Sequence, residues 1–73
     1  MDIREAMIKA LRKKYEAVIE EAKATAEVYL HRPVGIGEHP QFIEELDKLI
    51  NTIAEAEDKL TVVNQRFDED IPF

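Results

Sequence analysis

Recognition chemistry gathers at one end of this chain, in Phe67-Asp68-Glu69-Asp70-Ile71-Pro72-Phe73. Read as a carboxyl terminus, the segment offers an aromatic ring and a carboxylate on the same residue, Phe73. Pro72 narrows the backbone conformations that binding would have to freeze, Ile71 adds an apolar neighbour, and Asp68, Glu69 and Asp70 line up carboxylates upstream. A complementary receptor needs an apolar pocket with an arginine or lysine at its lip and a basic surface beside it. Bond-making chemistry has far less to work with. Cysteine and serine are absent, so Thr25, Thr52 and Thr61 are the hydroxyl residues besides the tyrosines. Glu20 with Glu21, and Glu44 with Glu45, project in adjacent rather than facing directions on a helix, which makes solvated acids and not a general acid/base dyad. The expectation is a binding role with no catalytic residues, no cofactor and no metal.

Other clusters carry weaker signals. Gly35-Ile36-Gly37 precedes a helix start, where free backbone N–H groups attract anions. It lacks the lysine and hydroxyl residue of a phosphate loop and the preceding strand of a dinucleotide fold. A tight turn, with Val34 and Ile36 tucked under the hairpin end, is the simpler reading. His31, Glu38 and His39 share that segment at spacings that fit no recognised metal site, and His39 before Pro40 can serve the helix cap. Arg12-Lys13-Lys14 is the one basic run. Consecutive helical positions fan over about 200°, so it reads as a solvated face, or as a resting place for the acidic tail within or between subunits.

These groups need a scaffold, and hydrophobic spacing describes one. Asp2 with Glu5 forms a capping-box pattern, and neither glycine nor proline interrupts the chain until Pro33, which predicts a helix over 3–30. Ile8, Leu11, Tyr15, Val18, Ala22, Thr25 and Tyr29 form its apolar or small stripe, widened by Ile19 and Ala26. Ala22, Thr25 and Ala26 make the second half thin enough for close approach. A second helix, over 41–66, shows a heptad seam: Phe42, Leu46, Leu49, Ile53, Ala56, Leu60, Val63 and Phe67 follow alternating four and three spacings. Pro40 suits its first turn, and Glu44 to Lys48 and Glu55 to Lys59 are favourable pairs one turn apart. The connecting loop, 31–40, is short enough to fold the helices back as an antiparallel hairpin.

The predicted fold is therefore all-α: a coiled-coil-like, antiparallel two-helix hairpin over 1–66, followed by an extended, flexible acidic tail over 67–73. With 73 residues and no disulfide, such a hairpin is too small to bury a robust core alone. Ile43 and Ile50 form a second apolar strip beside the seam, and Met7, Ile19 and Val28 lie off the first stripe. Dimerisation into a four-helix bundle, or a higher oligomer, is expected to cover them. The interface and core candidates are Leu11, Tyr15, Val18, Phe42, Leu46, Leu49, Ile53, Leu60 and Val63. Net charge is −6; residues 1–40 balance, so the excess comes from 41–66 and from the tail. That distribution disfavours direct nucleic-acid binding, which relies on concentrated positive charge. The start lacks a signal-peptide core and no apolar run reaches the roughly 20 residues of a membrane span, so a cytoplasmic location is expected.

Two resemblances add to this reading. Asp68-Glu69-Asp70-Ile71-Pro72-Phe73 resembles the carboxyl-terminal tip of bacterial single-stranded DNA-binding proteins, an acidic tail closing on Ile-Pro-Phe that recruits genome-maintenance enzymes. The likeness covers about the last seven residues; the body lacks the strands and interleaved aromatics of the family's oligonucleotide-binding barrel, so DNA binding does not carry over. What the resemblance implies is that Phe73 fills a receptor pocket and gives its carboxylate to a basic residue. Pro72 and Ile71 would pack beside it, and Asp68 to Asp70 would meet a basic ridge. The body, over 10–66, is similar to short uncharacterised hairpin proteins of tailed bacteriophages, on Pro33-Val34-Gly35-Ile36-Gly37-Glu38-His39-Pro40 and Ala54-Glu55-Ala56-Glu57-Asp58-Lys59-Leu60. Together they imply a phage protein that mimics the host tail to inhibit or recruit a host exonuclease, helicase or recombination mediator. The alternatives are a sponge for an anionic nucleotide-type ligand at the 35–39 loop, and a structural virion or scaffold component.

Overall fold

The fold is seen in a computed structural model that describes residues 2–31 and 41–67. Two helices account for nearly all of them: α1, Ile3–His31, and α2, Phe42–Arg66. Both agree with the predicted spans to within one residue. Asp2 starts α1 as its sequence pattern requires, with the Glu5 N–H donating to Asp2 Oδ1 at 2.7 Å and the Ala6 N–H to the Asp2 carbonyl at 3.1 Å. At the far end, His31 Nδ1 lies 2.9 Å from the Glu27 carbonyl oxygen and 3.1 Å from Glu27 Oε2, so the last turn is tied down by its own side chain.

The two helices pack against each other in opposite directions. Arg4 meets Phe67, Arg12 meets Asn64, Tyr15 meets Lys59 and Tyr29 meets Phe42, so residues advance along α1 as their partners retreat along α2. This is the predicted antiparallel hairpin.

Its core is thin. Among the described residues the buried hydrophobic side chains are Ala22, Ala26, Ala56 and Val63, and no side chain larger than these is fully buried. The antiparallel register places Ala22 and Ala26 across from the stretch holding Leu46, Leu49 and Ile53, and Ala56 across from Val18. Small residues on one helix thus make room for large ones on the other, and the backbones draw close. Val63 is buried, while Tyr15, Val18, Phe42, Leu46, Leu49, Ile53 and Leu60 are half-buried; Leu11 is more open than a core position should be, at 36% exposure.

Three local expectations change. Thr25 is exposed rather than part of the packed stripe, because its hydroxyl donates back to the Glu21 carbonyl at 3.0 Å. Lys48 pairs with Glu45 at 3.3 Å instead of Glu44. Lys59, expected to answer Glu55, stands with its Nζ 5.9 Å from the centre of the Tyr15 ring. Pro40 and the 31–40 loop beyond His31 lie outside the described residues, as does the tail beyond Phe67.

Because Ala22 sits at the close approach, Ala22→Leu should cost about 1–3 kcal/mol through overpacking. Ala24→Leu, on the exposed side of the same helix, should change stability by less than about 0.5 kcal/mol. Urea unfolding followed by far-ultraviolet circular dichroism separates the two, and equal costs would mean that the helices do not approach each other through Ala22.

Candidate protein-docking site

The tip residues Asp68, Glu69, Asp70, Ile71, Pro72 and Phe73 lie outside the described residues, but the structure fixes where they are rooted. α2 ends at Arg66, and the Phe67 N–H donates to the Val63 carbonyl at 3.0 Å, closing the last turn. From the neighbouring helix, Arg4 Nη2 donates to the Phe67 carbonyl oxygen at 2.8 Å. That bond joins the first turn of α1 to the last residue before the acidic run. A second crossing bond, from Arg12 Nε to Asn64 Oδ1 at 2.8 Å, braces the same end of the hairpin one turn further in. The root of the tail is therefore attached to both helices rather than hanging from one.

Beside this root the helices part into a groove. Ile8, Leu11 and Tyr15 form one wall; Lys59, Val62 and Phe67 form the other, with Val63 at the floor and Asp58 at the rim. The groove holds about 370 Å³. Tyr15 and Lys59 meet across it as a cation over a ring. Sequence reasoning named Leu11, Tyr15 and Val63 as packing residues and did not see the groove. Val62 and Lys59 fall off the heptad seam and enter the wall only because of how α2 is rotated against α1.

The basic run divides as its helical geometry requires. Arg12 turns to Asn64, Lys13 reaches Glu16 at 4.0 Å, and Lys14 is exposed. They form no common patch. The hydroxyls of Thr25 and Thr52 are taken up by helix backbone, Thr52 donating to the Lys48 carbonyl at 3.1 Å.

The opposite end of the hairpin belongs to the 35–39 loop, whose Gly35, Ile36, Gly37, Glu38 and His39 lie outside the described residues. The helix that follows it has Gln41 at its N-cap, whose side chain makes no capping bond, so the first N–H groups of α2 have no side-chain acceptor from the cap position. Glu44 and Glu45 stand in that first turn. Among the described residues no group of His, Cys, Asp or Glu gathers to hold a metal, and no helix is long and apolar enough to cross a membrane.

Adjacent valines test the rotation of α2. Val63→Glu buries a charge at a site 6% exposed and should cost about 3 kcal/mol or more, whereas Val62→Glu, at 45% exposure on the groove wall, should stay within about 0.5 kcal/mol of the parent. Thermal unfolding of the two variants reads the difference; the opposite order would turn the groove to a different face. Compared with known proteins, the chain matches no family model, no curated protein and no solved structure.

Proposed function

We propose that this protein is a non-enzymatic interaction module that displays an imitation of the single-stranded DNA-binding protein tip. Through it the protein binds host DNA repair, recombination or replication enzymes that read that tip, of the exonuclease, helicase or recombination-mediator class. The observation that carries this reading is the sequence Asp68-Glu69-Asp70-Ile71-Pro72-Phe73: an aromatic acid, a conformational restraint and a run of carboxylates in the order a basic-lipped pocket can read. The geometry supports it through the root. A body that is a pair of helices braced at Arg4 and Arg12 holds Phe67 firmly, so the docking segment starts from a fixed point. A phage origin and action in the host cytoplasm fit the same reading, with inhibition or recruitment of the target as its two consequences.

The hairpin acts as an oligomer in this proposal. Ile43 and Ile50, seven residues apart on α2, are 69% and 58% exposed, and Leu30 near the end of α1 is 57% exposed. Covering that strip with a second copy, in a four-helix bundle or a higher assembly, offsets the thin core. Several tails held on one assembly also raise local concentration, so modest single contacts add up.

A second reading is favoured by one observation, the start of α2 without a side-chain cap from Gln41, which follows Gly35 and Gly37 in the sequence. Backbone N–H groups there suit an anionic, nucleotide-type ligand, in which case the protein is a sponge. Glu44 and Glu45 in the same turn oppose it electrostatically, which leaves the tail as the stronger reading.

Deleting Phe73 from the full chain should weaken binding to a purified tail-reading exonuclease at least about tenfold, the loss of an anchoring aromatic, with helicity unchanged. Undiminished binding overturns the docking role, and nucleotide binding that survives the deletion favours the sponge. In light scattering, Ile43→Glu combined with Ile50→Glu should lower the assembled mass to that of a single chain; an unchanged mass would place the subunit interface elsewhere.

A further inference from the structure

The groove beside Phe67 has the chemistry that the tip asks of a receptor: apolar walls with a basic residue at the lip. Ile8, Leu11 and Val62 supply the walls, and Lys59 stands over the Tyr15 ring at the far end. We infer that this groove is a docking site for the chain's own tip, with the Phe73 ring against Tyr15 and Leu11 and its carboxylate at Lys59 Nζ. Length permits it. Six residues follow Phe67, a reach of about 20 Å when extended. Lys59 lies eight residues back along α2 from Phe67, or about 12 Å. Two residues can therefore be spent reversing direction, and the rest still span the groove.

Charge sets the orientation. Asp58 is exposed and lines the groove next to Lys59, so the carboxylates of Asp68, Glu69 and Asp70 are kept from that end. They stay over the root, where Arg4 binds the Phe67 carbonyl and Arg66 closes α2. The end that reaches Asp58 and Lys59 is the one carrying a single carboxylate and an aromatic ring. At about 370 Å³ the groove lies near the lower limit of small-ligand pockets, about 300–1,000 Å³, which suits one ring and its neighbour rather than the whole tail.

A short tether makes a weak contact sufficient. Linkage by a few residues gives an effective concentration in the millimolar range, so a self-contact of about millimolar affinity is already half occupied. An external receptor that binds the same tip in the micromolar range then displaces it. The groove holds the aromatic tip out of water until a better pocket is met, which limits nonspecific apolar contacts. This inference does not depend on which partner the tip reaches, and its failure would leave external docking untouched.

The test uses the full chain. Amide spectra of ¹⁵N-labelled protein and of its Phe73→Ala variant should differ at Leu11, Tyr15, Lys59 and Val62, distant in sequence from the change, and by the same amount on tenfold dilution. Val62→Glu, which alters the groove wall without touching the tail, should release Ile71 and Phe73 into fast motion by heteronuclear relaxation. Shift differences confined to residues next to Phe73 overturn the inference. So does a mixing experiment in which unlabelled full-length chains restore the groove shifts of labelled Phe73→Ala chains, because the occupant would then be another copy's tail.

Discussion

Close approach of two helices through alanine is the constraint on which the rest of this structure depends. Among the described residues Ala22, Ala26 and Ala56 are the most deeply placed side chains together with Val63, and their small size lets Leu46, Leu49, Ile53 and Val18 close the gap from the other helix. Ridges of large residues fit over small ones, so the backbones lie near each other along the middle of the hairpin. Toward the open end the pattern changes: Ile8, Leu11 and Tyr15 on α1 face Val62, Val63 and Phe67 on α2. Larger side chains on both helices cannot interdigitate as tightly, and the groove is what they leave between them.

The same constraint limits stability. Apolar surface removed from water contributes roughly 25 cal/mol per Å², and alanines remove little. Half-buried Phe42, Leu46, Leu49 and Ile53 do most of the work, with the Tyr29 and Phe42 rings, 5.8 Å apart at a 50° tilt, closing the loop end. Exposed ion pairs such as Lys13 with Glu16 add almost nothing. A hairpin held by one partly covered seam, with Ile3, Met7, Val28, Leu30, Ile43 and Ile50 left in water, has a physical reason to associate, whether with itself or with a partner.

In the proposed scheme such a body serves display. The described hydroxyl groups of Thr25 and Thr52 serve the helix backbone, and the crossing bonds of Arg4 and Arg12 stiffen the end from which the tail departs. On the proposed reading, a root held still reduces the freedom a docking peptide loses on binding, and the apolar groove next to it gives that peptide somewhere to rest. In the proposed scheme both functions come from one end of the molecule, while the other end is left to assembly.

Much of this was legible in the chain itself. Alternating three and four spacings determined both helices, and Asp2 with Glu5 determined where the first begins, because each is a local property carried by neighbouring residues. Tertiary structure alone decided that Lys59 leaves Glu55 for the Tyr15 ring, that Arg4 closes on the Phe67 carbonyl, and that Val62 lines a groove. Those pairings join residues some 40 to 60 positions apart. They depend on how far one helix is slid and rotated against the other, and a heptad seam specifies which face is covered without specifying that angle.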